Sequence, residues 1–204
     1  MTSQTLGKYG ERSSDGEYLT LAFSPSRVPL RSRWRNNGLS ADFLGDYVIT
    51  FLPAKGGVTA VESRQNEIKY AVTYIANELL ENAMKYHERD VDVPVRIHLE
   101  LTSDHIIVSV SNSVGAGQAE HYKEFVGRLL EGDPGEMLLK QQEESAKGDE
   151  SNTSGVGLLT MINDYDAQLG WRFDLHAVQS QVMTVTTSAI LALNSIPGGP
   201  LEKL

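Results

Sequence analysis

Three polar side chains recur at helical spacing between Asn77 and Tyr86. Glu78, Asn82 and Lys85 are separated by four and then three residues, so one helix face would carry all three. An amide oxygen is a suitable ligand for magnesium, a carboxylate can orient or deprotonate a hydroxyl, and a lysine can neutralise phosphate oxygens. These are the groups that phosphoryl transfer requires.

A simpler interpretation of the same helix stays open at this point. Glu81 and Lys85 also have the spacing of an ordinary surface ion pair, in which case Glu78 and Asn82 would only be solvated. Spacing alone does not decide between a surface pair and a site.

A second segment with suitable chemistry lies further along the chain, where small residues open a predicted helix. Its residues are Ser154, Gly155, Val156, Gly157, Leu158 and Leu159. Backbone amides at a helix start are free to hold phosphate, and glycine lets a ligand approach them closely. A lone Gly-x-Gly is weak evidence, so this segment gains weight only beside the first one.

The elements that would position these residues follow from hydrophobic periodicity and from turn residues. We predict an α/β protein, an α+β two-layer sandwich with a mixed, largely antiparallel sheet and helices on one face. Ser40 is expected to cap the first helix, and the chain before it, from Ser24 to Asn37, is expected to be irregular. The predicted strands are Tyr18–Phe23, Val93–Leu101, His105–Ser111, Gly170–His176 and Gln181–Leu193, and the predicted helices are Ala41–Phe51, Arg64–His87, Ala119–Glu131, Pro134–Ala146 and Gly155–Ala167.

Length and composition limit the function classes. The 204 residues suit one domain, and a net charge of -9 argues against binding to a nucleic-acid backbone. The chain has no cysteine, which excludes disulfides and thiolate metal sites. No apolar stretch predicts a membrane span or a signal core, so we expect no membrane partner and a cytoplasmic location.

The predicted domain organisation is simple. Residues 1–15 are expected to be a flexible N-terminus, residues 16–193 one ATP-binding domain, and residues 194–204 a frayed tail. A lid is expected at about residues 118–153, because its turn-rich end has little apolar surface to hold it down.

The segment Asn77–Tyr86, NELLENAMKY, resembles the N-box of the GHKL ATPases, a superfamily that includes gyrase, MutL, histidine kinases and anti-sigma-factor serine kinases. Residues Ser154–Met161 are similar to the second glycine box of that superfamily. The resemblance extends over roughly residues 64 to 190 and implies the Bergerat ATP-binding fold, with ATP and magnesium as ligands.

The resemblance also implies roles for individual residues. Asn82 would be the magnesium ligand and Glu78 the catalytic base, while Lys85 and Tyr86 would border the phosphates and the sugar. The residues of the second box that would bind the nucleotide are Ser154, Gly155, Val156, Gly157 and Leu158.

The first glycine box departs from the superfamily pattern, which usually reads Asp-x-Gly-x-Gly. The aspartate of that pattern accepts a hydrogen bond from the adenine amino group. The matching stretch here is Asn112-Ser113-Val114-Gly115-Ala116-Gly117, predicted as a loop, so either Asn112 or Ser113 must replace the aspartate. An asparagine carbonyl can still accept a hydrogen bond but carries no charge.

The absence of a transducer domain and of paired phosphoacceptor helices favours the stand-alone serine kinases of this superfamily. The segment Arg33–Phe43 is similar to the Sia-type bacterial kinases, which act on a small dedicated protein. We therefore expect a serine or threonine protein kinase whose partner is a small sigma-antagonist-like or Sia-type substrate protein in a partner-switching pathway. The alternative is a catalytically inactive binding module that sequesters a partner when nucleotide is bound. A homodimer stays open.

Overall fold

The computed structural model describes residues 3–11, 16–24, 30–52, 58–88, 91–146, 155–175 and 181–193. The secondary structure elements, in chain order, are β1 (Ser3–Gly7), β2 (Glu17–Phe23), α1 (Leu30–Ile49), α2 (Val58–Lys85), β3 (Val95–Leu101), β4 (His105–Gly115), α3 (Ala116–Glu131), α4 (Pro134–Ala146), α5 (Val156–Tyr165), β5 (Gln168–Leu175) and β6 (Val182–Ala192).

The strands form one six-stranded sheet in the order β1-β5-β6-β4-β3-β2. Each of its pairings is antiparallel, so the described residues contain no parallel pair. β4 lies near the centre and pairs along its whole length with β6, from His105 opposite Ala192 to Gly115 opposite Val182. A central strand of this length gives neighbouring helices a continuous platform.

The helices pack against this sheet through alternate residues of its strands. In β4, Ile106, Val108 and Val110 are buried and belong to the hydrophobic core, while the residues between them point to the opposite face. α2 and α3 both contact β4, and α1 packs on α2. The predicted two-layer α+β architecture is confirmed.

Two long-range contacts fix α2, which carries the proposed N-box. The Lys69 ammonium pairs with Asp46 of α1. Beyond the end of the helix, the backbone N–H of Glu88 donates to the carbonyl oxygen of Ser113 at 2.7 Å. The C-terminal end of α2 is therefore held beside the end of β4.

Three expectations about element boundaries were wrong. α1 begins at Leu30 and not at Ala41, so Ser40 lies inside the helix, where its hydroxyl donates to the Asn36 carbonyl oxygen at 2.7 Å. The N-terminus, predicted to be flexible, contains β1, which is held by pairing with β5. The predicted loop at 112–117 is divided between β4 and α3. The predicted tail at 194–204 lies outside the described residues.

Within the described part of the chain, no helix combines the length and apolar character needed to cross a membrane.

Candidate functional site

A cavity of about 420 Å³ lies between the sheet and three helices. α2, α3 and α5 supply three of its walls, and β4 and β6 supply the floor. Its volume lies within the usual range for small-molecule sites. The residues that line it are Leu79, Asn82, Ala83, Tyr86, Val110, Asn112, Val114, Gly117, Gln118, His121, Tyr122, Phe125, Gly155, Leu158, Val185 and Thr187.

α2 and the residue that follows it contribute two polar side chains to this cavity. Asn82 of α2 lines the wall, and so does Tyr86 just beyond the helix end, whose backbone N–H donates to the Asn82 carbonyl oxygen at 3.1 Å. Leu79 and Ala83, also on the wall, are both nearly fully buried. Of the polar stripe predicted for this helix, only Asn82 is part of the wall.

The simpler surface-pair interpretation does not describe this helix. Glu81 accepts a hydrogen bond from the Asn77 side-chain amide at 2.8 Å. The Lys85 ammonium lies over the Tyr86 ring, 5.3 Å from its centroid. No ion pair joins Glu81 to Lys85 in the described structure. Lys85 is exposed and stays outside the cavity wall.

Glu78 lies at the junction of α2 and α5. Its carboxylate packs so closely on Gly157 that a Cβ there would collide with it. Burial raises the pKa of Glu78 above its ordinary value, and the nearby charge of Glu81 adds to this. A carboxylate with a raised pKa is a better proton acceptor, which is the property that a general base needs.

Two tyrosines, one on α2 and one on α5, stack beside the junction of these helices. The Tyr74 and Tyr165 rings have centroids 5.2 Å apart. Burial raises the pKa of the Tyr74 phenol, the Thr160 side chain partly offsets this, and the charge of Glu78 raises it further. Glu78 is therefore close enough to Tyr74 for its charge to act on the phenol.

The first turn of α5 begins at a glycine in a conformation that other residues rarely adopt. Gly155 has φ +105°, and its carbonyl oxygen accepts from the Leu159 N–H at 3.0 Å. A Cβ at this position would lie 2.5 Å from Cζ of Phe125. Gly155 and Leu158 line the cavity, so the free N–H groups of the first turn of α5 lie at its edge.

The two candidates for the place of the aspartate in the first glycine box pattern, Asn112 and Ser113, are neighbours on β4 and point in opposite directions. Asn112 lines the cavity between Val110 and Val114, whereas Ser113 is fully buried and absent from its lining. Successive residues of a strand point to opposite faces, so only Asn112 can face a ligand in the cavity. The side-chain nitrogen of Asn112 is buried and has no hydrogen-bond partner among the described residues.

Some of the remaining predicted residues line the cavity and others do not. Gly117 lines it, whereas Gly115 lies at its margin beside Glu88. Val156 and Gly157 belong to the first turn of α5 but are not part of the wall. Ser154 and the end of the predicted lid lie outside the described residues.

Sequence reasoning missed the wall that α3 supplies. Gln118, His121, Tyr122 and Phe125 follow the helical spacing of three, four and seven residues and all line the cavity. The hydroxyl oxygen of Tyr122 accepts from Trp171 Nε1 at 2.9 Å, which fixes the ring in place. This aromatic stripe is visible in the sequence, but it lies inside the segment predicted as a lid.

No known protein-family model matches the chain, and no curated protein matches it in sequence. The fold is similar to a chain in the crystal structure of the SiaB–SiaC complex from Pseudomonas aeruginosa, with a TM-score of 0.55 and 15% identity. The alignment covers 85% of this chain and 89% of that chain. The shared feature is the fold. The resemblance to Sia-type proteins predicted from the sequence is thus supported at the level of the fold, while the GHKL assignment stays a prediction.

The residues of the cavity fit a magnesium nucleotide. The buried, unpartnered nitrogen of Asn112 can donate to a ligand atom, and the first turn of α5 reaches the cavity at Gly155 and Leu158. In the described residues, no group of three or more His, Cys, Asp or Glu side chains is placed to hold a metal ion. Magnesium often keeps water and phosphate oxygens as its main ligands, so one amide oxygen from Asn82 is a sufficient protein contribution.

Proposed function

We propose that this chain binds magnesium ATP in the cavity and transfers the γ-phosphoryl group to a serine or threonine of a small partner protein. The observation that carries the proposal is the contact of Glu78 with Gly157. This contact places the Glu78 carboxylate, whose pKa is raised, at the first turn of α5. The N–H groups of the same turn would hold the phosphates.

One end of the cavity would bind the base of the nucleotide, and the other end would bind its phosphates and the metal. Asn112 and the apolar wall would hold the base, while Asn82 and the first turn of α5 would hold the metal and the phosphates. Bound magnesium supplies charge neutralisation for the triphosphate, which a chain of net charge -9 needs. Positioning and charge neutralisation supply most of the rate in such reactions.

Glu78 would act on the partner's hydroxyl group. Its carboxylate accepts the hydroxyl proton as the serine or threonine oxygen forms a bond to the γ-phosphorus, and the bond from that phosphorus to ADP breaks. The partner gains a phosphate ester and ADP leaves with the bridging oxygen. The charge of Glu78 also acts on the phenol of Tyr74, which stacks on Tyr165.

The similarity to a chain of the SiaB–SiaC complex supports the protein partner in this proposal, because that structure contains two different proteins. On this basis the partner is a small Sia-type or sigma-antagonist-like protein. The signalling role follows from this partner, since transfer to a second protein changes what that protein can bind.

Two observations favour a second function. Asn112 stands where the resembled superfamily pattern has a charged residue, and α3 lines the cavity with aromatic side chains. Nucleotide binding would then reposition α3 and switch a partner surface without phosphoryl transfer. In this module Glu78 would have no chemical role.

The deciding experiment follows phosphate on candidate partners by intact mass, with the unaltered chain, Glu78→Ala and Asn82→Ala. Glu78→Ala should retain nucleotide binding and lose transfer by roughly a hundredfold or more. Asn82→Ala should lose magnesium-dependent binding itself. If the unaltered chain binds ATP and a partner but leaves the partner unmodified, the switched module replaces the kinase. If Asn82→Ala binds magnesium ATP as tightly as the unaltered chain, the metal assignment is wrong.

A further inference from the structure

The buried amide of Asn112 is the feature from which base selectivity can be inferred. The residue is 7% exposed, it faces the cavity, and its Nδ2 atom has no partner within the described residues. A buried N–H group without a partner is costly, so such a group in a cavity wall points to an acceptor atom on a ligand.

Among the described residues that line the cavity, Asn112 carries the one buried side-chain polar atom without a hydrogen-bond partner. Val110 and Val114 flank it on β4, and Val185 lies opposite it on β6. The hydroxyl of Tyr122 is already engaged by Trp171 and by the side chain of Thr187. An apolar wall discriminates weakly between two flat rings of the same size, so the hydrogen bonds of the amide decide.

An amide and a carboxylate differ in what they accept. A carboxylate has only acceptor oxygens, so in the pose that brings the adenine amino group or the guanine O6 oxygen against it, it accepts from the amino group and repels O6. An amide carries a donor and an acceptor side by side, and rotation by 180° exchanges them. It can therefore match the adjacent donor and acceptor of adenine, or the adjacent acceptor and donor of guanine.

We propose that Asn112 makes the site accept both adenine and guanine nucleotides, so that GTP is an alternative ligand and phosphoryl donor to ATP. This inference rests on the proposed nucleotide-binding function and deepens it. Asn112 is then the residue that sets base selectivity, and a carboxylate in its place would restrict the site to adenine.

The test is calorimetric titration of the full chain with ATP, GTP and inorganic triphosphate, each with magnesium. For the unaltered chain, the dissociation constants of ATP and GTP should agree within about tenfold, because one amide serves both bases. Binding of inorganic triphosphate measures what the phosphates contribute without a base. Asn112→Asp should raise the ratio of the GTP to the ATP dissociation constant by about tenfold or more.

Two further variants keep the test decisive. Asn112→Ala introduces no buried charge and should weaken ATP and GTP to a similar extent, which tests the inference even if Asn112→Asp fails to fold. Ser113→Ala changes the neighbouring residue, which points away from the cavity, and should leave the ratio unchanged.

The outcomes separate this inference from the proposed function. Tight binding of ATP with rejection of GTP by a hundredfold or so would overturn dual selectivity and leave the kinase proposal intact. The role of Asn112 would also be overturned if the ratio of the GTP to the ATP dissociation constant stayed unchanged in Asn112→Asp or changed in Ser113→Ala. Unequal losses of ATP and GTP affinity in Asn112→Ala would overturn it too. If no nucleotide binds, both proposals fall.

Discussion

The two glycine-containing segments have the same Gly-x-Gly spacing but different physical reasons for their glycines. In the segment around α5, Gly155 has a positive φ and contacts Phe125, and Gly157 makes room for Glu78. In the segment around α3, a Cβ on Gly117 would meet no described atom within 4 Å. The comparison teaches that a spacing pattern becomes evidence for a site only when contacts require the small residue.

The largest expected effect is on phosphoryl transfer in Gly157→Ala. The new methyl group would displace the Glu78 carboxylate, because the side chain of Glu78 can move while the helix backbone cannot. A shift of about 1 Å at a reacting group can cost roughly a hundredfold, so transfer to the partner should fall by about that factor. The measurement is the rate of partner phosphorylation under saturating ATP.

Gly127→Ala in α3 is the matched control, since a Cβ there meets no described atom within 4 Å. The double variant Gly157→Ala with Glu78→Ala should be no slower than Glu78→Ala alone, because both changes remove the same carboxylate. Fully additive losses would show that Gly157 acts through something other than Glu78.

The next effect is on stability, in Gly155→Ala. An alanine at φ +105° is strained and its methyl group would meet the Phe125 ring, so the free energy of unfolding should fall by about 1 to 3 kcal/mol. Chemical denaturation measures it. Gly157→Ala, whose glycine has no positive φ, should change stability by less. Equal stability of the two variants would contradict the role assigned to the Gly155 backbone.

Gly117→Ala is expected to stabilise the protein, by less than Gly155→Ala destabilises it. Gly117 is in the first turn of α3 with open space around it, so alanine should raise the free energy of unfolding by about 0.5 to 1 kcal/mol. Thermal unfolding measures the gain, and calorimetry measures whether a methyl group in the cavity wall disturbs nucleotide binding. A large loss of binding would mean that Gly117 contacts the ligand directly and that both segments need their glycines.

The smallest expected effect concerns pH and Glu78. A carboxyl group whose pKa is raised in the folded state stabilises the fold when protonated, below its unfolded pKa of 4.5, and this stabilisation is lost as the pH rises through the folded value. Glu78→Gln should therefore unfold at a slightly higher temperature than the unaltered chain at neutral pH. The difference should shrink as the pH falls through the raised folded pKa of Glu78 towards 4.5, and should stay constant below that. A difference that grows on acidification would reverse the assigned direction.

The sequence predicted the elements that depend on local periodicity. α4 has the predicted bounds, and α2, β3, β5 and β6 differ only at their ends, because their apolar spacing is continuous. Ser40 was misassigned as a cap, since a serine can also bond back to the carbonyl four residues earlier within a helix. β1 was missed because its partner strand lies far away in the sequence.

The candidate site was predictable where a side chain follows from its position on one element. Asn82 lies on α2 and Tyr86 follows four residues later, just beyond the helix end, and both reach the cavity. The choice of Asn112 over Ser113 required the register of β4 with β6, which a loop prediction could not provide. Tyr122 and Phe125 were missed because their partners Trp171 and Gly155 come from other elements.

The pairing of β1 with β5 has a consequence for synthesis on the ribosome. Residues 3–7 are made well before their hydrogen-bonding partners, residues 170–174, and the Lys8 N–H also donates to the Leu169 carbonyl oxygen at 2.8 Å. This edge of the sheet must therefore close after the other helices and strands up to β5 have emerged. Until β5 is made, the unpaired edge of β1 is exposed to other chains, so β1 is where chaperone contact would be most needed.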